Sequence, residues 1–356
     1  MQHSYVHGWR RYMVALTLLG GTGAHAAGCQ LLQIGQFHVE MHGNTPLVDA
    51  VINGERVSFV VDSGSAHTLL TRPAAAALHL KVTPLHSFTM YGVGGRDNVG
   101  EVEVKDFTLG DYTVHGLRLI TTSQMNFPSP VVGLLGGDLL ARVDVEFDLA
   151  EGAVRLFTPK GCSGEQVVYW RQPYSVLPIT ITLRDVTHLR GFVELNGIRT
   201  PAMFDTGASV TTVTPHAAKA AGVAIESPGV TAVGKIHGLG ASAVDAYSAV
   251  FPTLTLGDEK ITNARLEIAD MMGWRKEAKI GSHIATAVDD DLEPQMLVGA
   301  DFFLSHRVYV ARSQGLIYFS YLGGTIFTDP RQRHPSPAES PPSTQTIPAD
   351  SGTDPH

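Results

Sequence analysis

The chain has 356 residues, 44% of them apolar and 17% charged, with a formal net charge of −8. That length buries one large core or two medium ones, and an acidic balance without a basic cluster argues against a nucleic-acid partner. No apolar run reaches the roughly 18–20 residues of an ordinary membrane span.

Residues 1–26 read as an export signal: Arg10-Arg11 supply positive charge, residues 12–19 a short apolar core, and Ala24-His25-Ala26 a small-residue cleavage site. The Arg pair hints at twin-arginine export, but its flanks fit the general secretory route better. The expected location is therefore outside the cytoplasm, periplasmic or secreted. Three fates are open for the two cysteines, Cys29 and Cys162. They pair in an oxidising compartment, or Cys29 is lipidated within Ala26-Ala27-Gly28-Cys29, or both remain thiols. No Cys/His spacing suggests a structural metal site.

The first strand pair is marked by Asn53-Gly54, a hairpin turn signal, and the second strand runs through Val57-Ser58-Phe59-Val60-Val61 into Asp62-Ser63-Gly64-Ser65. Thr71 is a candidate helix N-cap before an Ala-rich segment. Tyr91-Gly92-Val93-Gly94-Gly95 is a Gly-rich loop, and Leu134-Leu135-Gly136-Gly137-Asp138 introduces a short apolar helix. Short β-branched runs, such as 99–107, 144–149 and 154–157, fill the intervals.

The series then repeats. Asn196-Gly197 and Asp205-Thr206-Gly207-Ala208 follow their counterparts at an offset of 143, as does Thr214, with Pro215 suited to the first helical position. His237-Gly238-Leu239-Gly240-Ala241 follows the first Gly-rich loop at 146, and Leu297-Val298-Gly299-Ala300-Asp301 follows at 163. The growth of the offset places a net insertion of 16 residues between about Met271 and Gln295. The pattern is all-β with a few short helices.

A carboxylate at the end of an apolar strand, followed by Ser/Thr and Gly, is presented on a tight turn. If two such turns meet, like charges in contact cannot both ionise, so one proton is shared. One carboxylate then deprotonates water while the other, protonated, polarises a carbonyl. That chemistry cleaves a peptide bond with neither a covalent intermediate nor a metal.

Three elements occur in both halves: apolar-apolar-Asp-[Ser/Thr]-Gly-[Ala/Ser], the Gly-rich loop, and apolar-apolar-Gly before a short helix. Over residues 45–320 the chain resembles aspartic proteases of the retropepsin/pepsin clan, in the retropepsin-like type found in bacteria. The resemblance implies two pseudo-symmetric β-barrel lobes in one chain, an N-terminal lobe at 27–158, a connector at 159–175 and a C-terminal lobe at 176–322. Residues 323–356, rich in Pro and Ser, are expected to be disordered.

The resemblance further implies a catalytic dyad of Asp62 and Asp205, supported by Ser63, Gly64, Ser65, Thr206, Gly207 and Ala208. Ser63 and Thr206 would brace the two loops across the pseudo-twofold axis. The Gly-rich loops would act as flaps through Tyr91, Gly92, Gly94, Gly238 and Gly240. It implies a peptide or protein substrate, no cofactor, and a monomer that is an internal pseudo-dimer. The alternative is a catalytically weak peptide- or protein-binding module on the same fold.

Four finer expectations follow. A Ser65 hydroxyl donating to Asp62 would make Asp62 the more readily ionised member of the dyad. Asp138 and Asp301 resemble helix caps. Trp274 is expected to pack in a surface loop, and Asp289-Asp290-Asp291 to be a solvated one.

Overall fold

The computed structural model describes residues 28–125, 127–180, 186–271 and 292–327. The expected export signal at 1–26, Trp274, the acidic triplet at 289–291 and residues 328–356 lie outside these residues.

The first half of the chain contributes β1 (Gln30–His42), β2 (Thr45–Ile52), β3 (Glu55–Val61), β4 (Leu69–Thr71), α1 (Arg72–Ala77), β5 (Thr83–Gly92), β6 (Gly95–Leu109), β7 (Tyr112–Thr122), β8 (Val131–Leu135), α2 (Gly137–Leu140), β9 (Asp144–Asp148) and β10 (Ala153–Lys160). The second half contributes β11 (Ser175–Pro178), β12 (Arg190–Leu195), β13 (Ile198–Phe204), β14 (Thr212–Val213), α3 (Pro215–Ala220), β15 (Thr231–Ile236), β16 (Val244–Leu256), β17 (Glu259–Ala269), β18 (Met296–Val298), α4 (Ala300–Ser305), β19 (His306–Ala311) and β20 (Leu316–Tyr321). Each element of one half has its counterpart in the other.

Local chemistry fixes these elements twice over. Asn53 and Asn196 take φ of 50° and 51°, followed by Gly54 and Gly197 at 95° and 80°, the paired positive angles that a two-residue hairpin turn requires. Thr71 and Thr214 accept the N–H of Ala74 and Ala217, each at 3.2 Å, satisfying one orphan donor of each helix. In β2, Val48, Ala50 and Ile52 alternate into the core, as period two demands.

The two lobes share one strand order, β2-β3-β8-β4-β7-β6-β5 in the first and β12-β13-β18-β14-β17-β16-β15 in the second. Additional β2–β6 and β12–β16 pairings wrap each sheet back on itself. In both, the strand ending at the Asp motif lies parallel to the strand ending at the Gly-helix element. Between them lies a six-stranded sheet of order β11-β20-β19-β9-β10-β1, three strands from each half, continuous with the first lobe through β1. Its centre is the antiparallel β9–β19 pair, with Val308 opposite Phe147 and Val310 opposite Val145.

One face of this sheet, with Val145, Phe147, Val308 and Phe319, joins the main core beneath both lobes. The other carries Asp144, Glu146 and Asp148, all buried. Burying charge is costly unless it is paired. Here Arg155 pairs with Glu146 and Asp148, and Arg307 with Asp148 at 2.6 Å. Cys162, Val167, Val168 and Trp170, from the stretch between β10 and β11, pack over this face with Phe157 and Tyr309. A Cys29–Cys162 disulfide ties that stretch to the start of β1. Of the three fates open to the cysteines, pairing is the one observed, and it leaves no Cys29 thiol for a lipid. No helix among the described residues is long and apolar enough to cross a membrane.

Candidate active site

Asp62 and Asp205 follow the last residues of β3 and β13, where both strands leave their sheets for the Gly turns. The turns meet at the centre of the molecule. Ser63 N–H donates to Thr206 Oγ1 and Thr206 N–H to Ser63 Oγ, both at 3.0 Å. The hydroxyls continue across: Ser63 Oγ donates to the carbonyl of Phe204 at 2.8 Å, and Thr206 Oγ1 to that of Val61 at 2.7 Å. These four bonds lie between buried groups, so the loops have one relative position.

That position puts the carboxyls in contact. An added Cβ on Gly64 would lie 2.2 Å from Cγ of Asp205, and one on Gly207 would lie 2.4 Å from Cγ of Asp62. Each carboxyl rests against the glycine of the other loop, a place no larger residue fits. Asp62 Oδ1 accepts the N–H groups of Gly64 and Ser65 at 2.9 and 2.8 Å. Asp205 Oδ1 accepts those of Gly207 and Ala208 at 2.9 and 3.2 Å.

Burial raises both pKa values. Asp62 is pushed well above the usual carboxylate range, by burial first and then by the charge of Asp205, to which it donates a hydrogen bond. Asp205 is raised by burial, but the bond from Asp62, its backbone donors and the charge of His188 all favour its ionised form. The pair therefore shares one proton, and the Ser65 hydroxyl does not bias it between the two carboxyls. The reason is local. The Ser65 hydroxyl turns away and donates to the carbonyl of His67 at 2.8 Å, so only its N–H reaches Asp62. His188, in the counterpart position of Thr45, adds a charge that favours ionised Asp205.

Asp138 and Asp301 do not cap their helices, whose N-caps are Gly136 and Gly299. Asp138 Oδ1 accepts Thr68 N and Oγ1 at 2.8 and 2.6 Å, and Thr68 Oγ1 accepts Gly136 N at 3.1 Å. Asp301 holds Thr211 the same way, at 2.9 and 2.7 Å, with Gly299 N on Thr211 Oγ1 at 3.0 Å. These relays brace the segment just after each Asp turn. Their sequence signal was the recurrence of Thr68 as Thr211 at the motif offset.

The two Gly-rich loops meet at their tips. Gly94 N donates to Leu239 O at 2.8 Å, and Ser242 N to Gly94 O at 2.9 Å. Gly94 and Gly240, equivalent in the repeat, form a parallel bridge. A side chain on Gly240 would collide with Gly94 C at 2.1 Å, at a φ of +114° that favours glycine. Gly92 packs against Leu239, and Gly238 against Val93. Tyr91 is paired with Arg96 near the first tip and is 40% exposed. No group of His, Cys, Asp and Glu among the described residues is arranged to hold a metal ion.

Comparison with known proteins agrees with this geometry. The sequence model of an aspartyl protease family matches residues 48–139 and 192–302, more than half of the chain. Among solved structures, the aspartic proteinase from Irpex lacteus is similar, with a TM-score of 0.46 and 14% identity, covering 81% of this chain and 97% of that one. No curated protein sequence matches. With two matched segments that each carry one of the meeting Asp turns, this chain belongs to the aspartyl protease family.

Proposed function

We propose that the protein is an aspartic endopeptidase that hydrolyses peptide bonds at an Asp62/Asp205 dyad, with water as the nucleophile. The observation that carries this reading is the contact of the two carboxyls, each held by its own turn and by the Ser63–Thr206 exchange. Ionised Asp205 accepts a proton from a water lying between the carboxyls. Protonated Asp62 donates to the scissile carbonyl as the tetrahedral gem-diol forms. Asp205 then gives the proton it took up to the amide nitrogen as the C–N bond breaks, and Asp62 regains a proton from a gem-diol hydroxyl, releasing a carboxylic acid and an amine.

An extended peptide enters between the lobes beneath the flaps and pairs with their strands. The tip-to-tip bonds between Gly94, Leu239 and Ser242 support a mechanism in which both flaps part to admit it and reclose to exclude water. Tyr91 would close over the substrate with the first flap. The lobes at 27–158 and 176–322, joined by 159–175, work as one monomer, and residues 1–26 direct the chain out of the cytoplasm, where the disulfide persists.

The test is a mixed peptide library at pH 4 to 7, with the wild type beside Asp62→Asn and Asp205→Asn. Cleavage by the wild type, reduced at least about 10³-fold in each variant, supports the reading. Equal binding with no turnover in all three proteins would identify a binding module instead.

A further inference from the structure

The two flaps differ at their roots. In the first, β5 and β6 pair from Gly92–Gly95 back to Thr89–Asn98, then resume at Pro84–Gly100 and Thr83–Glu101. Residues 85–88 therefore face Val99 alone, a wide irregularity at which a two-stranded ribbon bends. Beyond it the ribbon also loses β7, whose last pair with β6 is Gly100–Thr121. The second flap loses β17 at the equivalent place, Ala246–Ala269, but β15 and β16 stay paired through its root, from Ile236–Val244 to Thr231–Ser248, with one bulge between Ala232 and Gly234.

Asp97 stands at this weak point. It is 2% exposed, and it accepts the Thr122 hydroxyl, Ser123 N and Oγ, both at 2.8 Å, and Gln124 N at 3.3 Å. All four donors come from the end of β7 and the turn that follows, so a side chain continues a ladder that the backbone has abandoned. Burial alone would raise this carboxyl, but the donors outweigh it and hold it below the usual range, keeping it charged in mild acid. Its counterpart in the second half is Ala243, which offers no such group.

The anchored turn also leads into a separate apolar cluster. Met125 and Phe127 follow it and pack with Val60, Leu69 and Leu134, as does Met90, the backbone partner of Asp97. In β3, Val61 belongs to the main core whereas Val60 lies in this separate cluster. Alternation puts Val60 on the face that carries Asp62.

The geometry points to Asp97 as a positioning residue, a carboxylate latch that fixes the root of the first flap to residues 122–124. It thereby sets the flap and the apolar wall beside Asp62 together. This rests on the endopeptidase reading. When the flap recloses over a peptide, the latch biases it toward the closed position, so its loss is read in substrate affinity rather than in the chemical step.

The test uses Asp97→Asn and the milder Ser123→Ala in the full chain, with a fluorogenic peptide chosen from those the wild type cleaves. KM should rise about tenfold in Asp97→Asn and a few-fold in Ser123→Ala, with kcat within about threefold of wild type. Amide exchange at Gly94 and Ser242 should quicken in both. An unchanged KM in both variants overturns the latch, as does a loss of activity with flap-tip exchange unaltered. If the wild type cleaves no peptide, the endopeptidase reading has failed, and the exchange measurement alone still decides the latch.

Discussion

Ser63 and Thr206 exchange hydrogen bonds across the pseudo-twofold axis, the N–H of each meeting the hydroxyl of the other at 3.0 Å. The pair is reciprocal although the residues differ, because the bonds need only a hydroxyl, which Ser and Thr share. Replacing Thr206 with Val keeps the shape and removes an acceptor, leaving Ser63 N–H buried without a partner. The cost should be about 1–3 kcal/mol, read as a lower urea midpoint with an unchanged slope, and turnover should fall with it as the carboxyls lose register.

The dyad itself should destabilise the fold at neutral pH. Asp62 has a folded pKa above its unfolded value, so the native state binds its proton more tightly. Stability from this group is fully present below the unfolded pKa and declines as pH rises through the folded one. Asp62→Asn removes the group that must take up a proton on folding, so the variant should be more stable than wild type at pH 7. The difference should shrink toward pH 4. Urea denaturation of both proteins at the two pH values checks this, and an advantage of the variant over wild type no larger at pH 7 than at pH 4 would refute it.

His188 should set the acid limb of the activity profile. Its charge favours ionised Asp205, and the proposed mechanism needs Asp205 ionised at the start. His188→Gln removes that charge and raises the Asp205 pKa, so the acid limb of kcat/KM should move to higher pH. Ser65→Ala should leave the limb in place, since that hydroxyl is bonded to His67 O. The two pH–rate profiles distinguish the sources of asymmetry.

The Cys29–Cys162 bond closes a loop of 133 residues, which links β1 to the stretch covering the buried acids of the central sheet. Its removal by Cys29→Ser with Cys162→Ser should cost about 2–5 kcal/mol. Guanidinium midpoints with and without reductant give the measurement, and near-UV circular dichroism of Trp170, which donates to Ser320 Oγ at 2.6 Å, should report local loosening first.

Much of this molecule was written in the recurrence of short signals. Asn53-Gly54 and Asn196-Gly197 dictate their turns through backbone sterics alone. The Thr71 and Thr214 caps depend only on residues three positions away. The meeting of Asp62 with Asp205 was foreshadowed because buried acids in matching contexts need each other. Illegible features were those that depend on distant partners. Asp97 resembles any turn-adjacent acid until the end of β7 arrives beside it. Ser65 has two acceptors within reach, and only the folded loop decides between Asp62 and His67 O. His188 carries no motif. The central sheet was hidden for the same reason, since β9 finds β19 across more than 150 residues.

That central pairing also sets when the two-lobed frame comes to exist. During synthesis the first lobe can complete its own sheet, yet β9 remains an open edge until β19, at residues 306–311, has been made. The second Asp turn is translated earlier, but the sheet that seats its lobe against the first closes only with these late strands. A ribosome-bound or truncated chain thus holds both carboxyls without their common frame. That common frame arrives only when β19 pairs with β9.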